Sequence, residues 1–214
     1  MSQGFDDIIL DAYRKGVFPM ADSGDTHDFY LVEPKQRALI PILDLHIPRS
    51  LNKFMRQTEY EIRIDTAFGD VIKACAELTE DRYETWINPP IISIFKSLHE
   101  KGHAHSVEYW EQGKLAGGLY GIQVGRIFCG ESMFSRTSNA SRVALVHLCA
   151  RLWKTGFKIL DAQFMNPHLK QFGAYEIPQS EYVQKLLKLR DLPAEFSAMW
   201  DEDVLISEFL DTKN

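Results

Sequence analysis

Residues 103–129 read HAHSVEYWEQGKLAGGLYGIQVGRIFC, and this stretch decides the fold. Three runs, HAHSVEYW, KLAGGLYGIQV and RIFC, are short and strand-like, and the turns EQGK and VGR join them. Glycine-bearing turns of that length connect antiparallel neighbours, so the spacing predicts three adjacent hairpin strands. Toward the C-terminus, SNASRVALVHLCARLWKTG (138–156) predicts a long helix. Leu145, Leu148, Cys149 and Leu152 share one face, Ser138 or Asn139 can cap the start, and Gly156 ends it. FKILDAQ (157–163) reads as a strand, followed by a short helix near 167–172, a strand AYEIP and a helix from Ser180 that closes the chain. Toward the N-terminus, PPIISIFKSLHEKG (89–102) is a helix with prolines at its start and glycine at its end. Before it come a charged loop TEDRYET (79–85), a helix TAFGDVIKACAEL (66–78) and a strand EYEIRID (59–65). Farther out lie a helix IPRSLNKFMRQ (47–57) entered after Pro48 and a polar loop ADSGDTHD (21–28). A short amphipathic helix over 6–15 is marked by Ile8, Ile9, Ala12 and Tyr13 and stopped at Gly16. From residue 59 the order is β-α-α-β-β-β-α-β-α-β, an α+β pattern around a central mixed, largely antiparallel sheet.

The 214 residues, 45% hydrophobic and 25% charged, suit one globular domain or one domain plus a small addition. The net charge of −6 argues against a surface that binds nucleic acid everywhere, so such a partner needs a local basic patch. One candidate stands out. Arg49, Lys53 and Arg56 are spaced i, i+4, i+7 and line one helix face, which either contacts phosphates or is an ordinary solvated face. Cys75, Cys129 and Cys149 are odd in number, show no CxxC spacing and read as reduced core residues of a cytoplasmic protein. The first residues, MSQGFDDIILDAYRKG, carry acids where a secretory signal needs bases, and no apolar stretch is long enough for a membrane span.

The candidate chemistry gathers at strand ends. In GRIFCGESMFSR (125–136) the apolar run ends in glycine and Glu131 follows at once. A buried, unpaired carboxylate is costly, so Glu131 should pair, sit at a mouth open to water, or meet a ligand. Along 157–163 alternation puts Phe157, Ile159, Asp161 and Gln163 on one face, so an aspartate and an amide point the same way late in a strand. Such a trio can accept a proton from an attacking amine or hold a cationic one; Asp161 and Gln163 can equally serve as caps for neighbouring backbone. His103 and His105 share a strand face without a third ligand at metal-site spacing, so they read as structural. Ser132 and Ser135 have no histidine adjacent in sequence. Acyltransferases of the GCN5-related fold carry an R/Q-x-x-G-x-G/A turn that holds coenzyme A pyrophosphate. The element order here is the order of that fold, but SRTSNASR at the corresponding place lacks the glycines, which argues against a coenzyme A donor.

Taken together, the chain resembles leucyl/phenylalanyl-tRNA–protein transferases. The resemblance rests on TWI around Trp86, LHEKGHAHSVEYW, GGLYG, FCGESMFSRTSNAS, ILDAQ with Asn166 and His168 following, and FGAYEIP. AYRKGVFPM and HIPRSL extend it over nearly the whole chain. It implies transfer of leucine, phenylalanine or methionine from aminoacyl-tRNA to a protein beginning with Arg or Lys, which marks that protein for degradation. The implied architecture is a small N-terminal domain (1–40) and a GCN5-related N-acyltransferase-like domain (41–214), monomeric, with no metal or coenzyme. By the same resemblance Asp161, Gln163 and Glu131 are the catalytic set. Trp86, Leu119, Phe128, Met133, Leu148 and Asn166 surround the amino-acid side chain, and Arg49, Lys53 and Arg56 meet the tRNA acceptor stem.

Two departures bear on selectivity. In YLVEP, Leu31 stands where the family commonly has tryptophan, and Leu148 stands where an aromatic occurs. Other readings stay open at this stage: a coenzyme A-dependent acyltransferase, an aminoacyl-tRNA-dependent transferase acting on a cell-wall precursor, or a non-catalytic binder of basic N-termini or aminoacyl-tRNA ends.

Overall fold

The computed structural model describes residues 4–79 and 83–213. The loop expected at 79–85 therefore lies partly outside the described residues. Among the described residues the chain forms a two-stranded ribbon, a seven-stranded sheet and eight helices. Helix α1 (Phe5–Tyr13) leads into β1 (Phe18–Met20) and β2 (Tyr30–Val32), which pair antiparallel across the polar loop. Then come β3 (Gln36–Ile40), α2 (Arg49–Gln57), β4 (Glu61–Ile64), α3 (Phe68–Ala76) and α4 (Pro89–Glu100). The predicted hairpin strands follow as β5 (Ala104–Glu111), β6 (Lys114–Val124) and β7 (Ile127–Ser135). The chain ends with α5 (Ala140–Lys154), β8 (Ile159–Gln163), α6 (Pro167–Lys170), β9 (Tyr175–Pro178), α7 (Gln179–Leu189) and α8 (Glu202–Asp211).

The large sheet runs β4-β5-β6-β7-β8-β3-β9, and among the described residues β7–β8 is its one parallel pair. That pair is parallel because α5 carries the chain back across the sheet between them. Helix α5 is buried almost all round, and the core on its side takes Leu51 and Met55 of α2 and Leu205 and Phe209 of α8. The opposite face packs α1, α3 and α4 over Tyr120, Ile127 and Cys129. All three cysteines lie in these buried layers. Among the described residues no helix is long and apolar enough to cross a membrane.

Several details differ from the sequence reading. β3 is a strand the sequence reading does not contain; it lies at the end of the segment expected as the N-terminal domain, yet pairs with both β8 and β9 inside the large sheet. Asn139 is the N-cap of α5 but, among the described residues, its side chain caps no backbone amide, and it adopts φ 64°; the Ser141 amide donates instead to Ser135 Oγ at 2.8 Å. Helix α8 is an addition to the predicted ending, capped by Asp201, which accepts from the Asp203 and Val204 amides.

Candidate active site

Two irregularities in the sheet build the site. The first lies between β6 and β7, where Tyr120 pairs with Ser132 and Gly121 with Gly130. Glu131 is the extra residue of a β-bulge, and a bulge re-aims the side chain it carries. Gly121 is required opposite it, because a Cβ there would stand 2.4 Å from the Cys129 carbonyl oxygen. The second lies between β7 and β8, whose pairing stops at Cys129–Asp161 while β7 continues to Ser135. The strands part at that point, and the gap opens a cavity of about 730 Å³.

The walls of the cavity are mixed. Leu119 of β6, Met133 and Phe134 of β7, and Leu145 and Leu148 of α5 supply apolar surface. Glu131, Ser132, Ser141, Asn166 and His168 supply the polar groups. Glu131, Asp161, Leu119, Met133, Leu148 and Asn166 are thus brought together as the sequence suggests. Two others are placed elsewhere. Phe128 is fully buried and stacks on Phe196 at 5.0 Å in the α5-side core, because the strand turns it away from the gap. Trp86 packs against the opposite core beside α3 and α4.

Asp161 adds to the wall, but its side chain has no exposed surface. Arg37 Nε donates to both its oxygens at 2.9 Å and Arg37 Nη2 to Oδ2 at 2.5 Å. The Tyr182 hydroxyl donates to Oδ2 at 2.9 Å, and the Gln163 amide donates to Oδ1 at 2.9 Å. Burial alone would lower the Arg37 pKa, but the Asp161 carboxylate more than reverses this and Arg37 stays charged. The guanidinium is further framed by the rings of Tyr182 at 4.3 Å and Phe18 at 4.8 Å.

Gln163 is held in a left-handed conformation, φ 56°, that a non-glycine residue seldom adopts. The Phe164 amide closes a three-residue turn onto the Ala162 carbonyl at 2.6 Å, and Asp161 anchors the Gln163 amide within it. The turn carries the Gln163 side chain to Glu131, whose Oε1 accepts from Nε2 at 2.8 Å. Glu131 is half-buried and borders the cavity. Burial, with the nearby Asp161 charge, pushes its carboxyl up to about 8, against the opposing pull of Tyr13, Arg37 and Gln163. A group balanced between its charged and neutral forms near neutral pH is suited to exchange a proton with a ligand amine.

The other candidates make contacts of their own outside the Glu131–Gln163 pair. Asn166 caps α6 by accepting from the Leu169 amide at 3.0 Å and is otherwise exposed. Arg49, Lys53 and Arg56 line an exposed groove on α2, and none of them forms an ion pair among the described residues. His105 lies 2.8 Å from Asp65 and stacks on Phe196 at 4.4 Å, a packing role. Arg37, Tyr182 and Tyr13 are the site residues that sequence reading missed. Arg37 lies in a strand that the pattern does not mark; AYRKG and the periodicity of 179–189 place the two tyrosines on helices without pointing them at the site.

Residues 39–187 match the model of the family described as leucyl/phenylalanyl-tRNA protein transferase. The chain belongs to this family. It is 53% identical over 180 residues to a leucyl/phenylalanyl-tRNA–protein transferase of Paramagnetospirillum magneticum, covering 84% of this chain and 86% of that one. It is 52% identical over 191 residues to the protein of that name from Phenylobacterium zucineum, covering 89% and 86%. The Rhizorhabdus wittichii relative is 50% identical over 180 residues, 84% of this chain and 73% of its own length.

Proposed function

We propose that this protein transfers leucine or phenylalanine from aminoacyl-tRNA to the α-amine of a protein that begins with Arg or Lys, giving an N-terminus that directs degradation. The observation that carries the reading is the parting of β7 from β8, which sets an apolar cavity beside the Glu131–Gln163 pair in a chain about half identical to enzymes of that name. The reaction is aminolysis of an ester. The amine nitrogen bonds to the carbonyl carbon, the bond to the ribose oxygen breaks, one proton leaves the amine and one reaches the departing hydroxyl. The ester is already activated, so the reading calls for neither metal nor coenzyme.

In this reading Glu131 orients the acceptor amine and takes up its proton. Gln163 polarises the reacting centre, and Asp161 with Arg37 fixes Gln163. Most of the rate comes from holding ester and amine in register. The cavity takes the Leu, Phe or Met side chain, with Leu119, Met133 and Leu148 as its walls. The face of Arg49, Lys53 and Arg56 meets the acceptor stem. The element order and the parted strands support reading residues 41–214 as a GCN5-related N-acyltransferase-like unit. A small N-terminal unit over 1–40 precedes it and lends β3 to the sheet. The protein acts as a cytoplasmic monomer.

The test is transfer of labelled leucine from charged tRNA to a peptide beginning with arginine, with an alanine-initial peptide and phenylalanyl-tRNA alongside. Label in the arginine peptide alone is expected. Binding of charged tRNA without transfer would make the protein a binder instead.

A further inference from the structure

Tyr13 ends α1, far in sequence from the residues that line the cavity, and is 1% exposed. Its ring packs edge-on against Phe95 at 6.4 Å, yet its hydroxyl is buried and, among the described residues, makes no hydrogen bond of full geometry. A buried orphan hydroxyl is costly and asks for a reason. The side chain it faces is Glu131, near enough for the hydroxyl to pull the carboxyl pKa down, though the pair falls short of a fully formed hydrogen bond.

The placement of Tyr13 is not accidental, because a ring of hydrogen bonds leads from it to Glu131 by the other way round. The Gly16 amide donates to the Tyr13 carbonyl at 3.0 Å. The Gly16 carbonyl accepts from Arg37 Nη1 at 3.0 Å and from Gln179 Nε2 at 2.9 Å. Arg37 holds Asp161, Asp161 holds the Gln163 amide at 2.9 Å, and the Gln163 side chain holds Glu131 at 2.8 Å. The circuit lacks one link, between the Tyr13 hydroxyl and the Glu131 carboxylate. The groups around Glu131 are Tyr13 of α1, Arg37 of β3, Cys129 of β7, and Asp161 and Gln163 of β8; Tyr120 of β6 also faces Tyr13. Arg37 is committed to Asp161, and Asp161 repels the charge. Gln163 and Tyr13 are therefore the donors in place to hold an ionised Glu131.

We infer that Tyr13 is a positioning residue of the transfer site, whose hydroxyl closes onto Glu131 when that carboxylate is charged and holds it aimed at the acceptor amine. Tyr13 keeps its proton throughout, since burial and the neighbouring Glu131 charge both hold the phenol in its neutral form. The inference rests on the transfer reading for its purpose, while the contact itself is testable without it.

The experiment uses Tyr13→Phe, which keeps the ring and deletes only the orphan hydroxyl, in the full chain. The Glu131 carboxyl is titrated by carbon NMR, with its signal identified by its loss in Glu131→Gln. The midpoint should rise in Tyr13→Phe by about one pH unit, because a donor to the charged form is gone. Leucine transfer to the arginine peptide should fall about tenfold, with no further loss when Tyr13→Phe is added to Glu131→Gln. An unchanged midpoint, or an equal loss of transfer in both backgrounds, would overturn the inference. A raised midpoint in a protein that transfers nothing would leave the contact standing and overturn both the transfer reading and the role given to Tyr13.

Discussion

Two carboxylates flank the point where neighbouring strands part, and they live in opposite environments. Asp161 closes the paired part of β7–β8, has no exposed surface, and is saturated by Arg37, Tyr182 and the Gln163 amide. Glu131 stands two residues into the parted region, in a bulge, with Gln163 as its formed hydrogen-bond partner and a pKa pushed up to about 8 by burial. The contrast teaches a division of work. A carboxylate with every lone pair engaged and a guanidinium against it fixes geometry. One left short of donors at the edge of a cavity is free to exchange protons. The same sheet supplies both because its pairing stops between them.

Breaking the Asp161 half should have the largest effect. Asp161→Asn leaves the Arg37 charge buried without its counter-ion, a loss of about 3–5 kcal/mol. The melting temperature should fall by about 10 °C. Transfer should drop at least about hundredfold as the Gln163 turn loosens, read by single-turnover kinetics on the remaining folded protein. Glu131→Gln breaks the other half. Transfer should fall about hundredfold through loss of the proton acceptor, while calorimetry finds no loss of melting temperature at neutral pH. Leu148→Phe sharpens the comparison from the cavity side. Narrowing the wall should shift the ratio of leucine to phenylalanine transfer about tenfold toward leucine, measured with both charged tRNAs in competition. The smallest effect on chemistry should come from alanine at Arg49, Lys53 and Arg56 together. Filter binding at several salt concentrations should show the slope of log affinity on log salt reduced by about 2–3, with turnover at saturating tRNA unchanged.

Much of this arrangement is legible in the chain, and the limits have physical causes. The turns EQGK and VGR and the apolar face of 138–156 mark β5, β6, β7 and α5 because those elements are specified locally. Strand alternation puts Asp161 and Gln163 on one face, but Gln163 reaches Glu131 through a left-handed turn that no periodicity announces. The bulge at Glu131 depends on pairing with β6, and the partner of Asp161 lies 124 residues away. Phe128 looks like a pocket residue in a line of letters; only the direction of the strand face sends it to Phe196. Strand β3 ends at Ile40, just before Pro41, and its identity as a strand comes from its two neighbours.

The most direct measurement is thermal unfolding of the wild type, Asp161→Asn and Glu131→Gln from pH 5 to pH 9. The Glu131 carboxyl titrates near 4.5 when unfolded and near 8 when folded. Its stabilising contribution is therefore complete below the lower value and is lost as pH rises toward the upper one. Glu131→Gln has no such loss, so its stability relative to the wild type should climb across that window, by about 1–2 kcal/mol after allowing for water in the cavity. Asp161→Asn should stay far below the wild type at every pH in the range. Equal destabilisation by the two substitutions, or a Glu131→Gln difference that does not change with pH, would contradict the division of work between the two carboxylates.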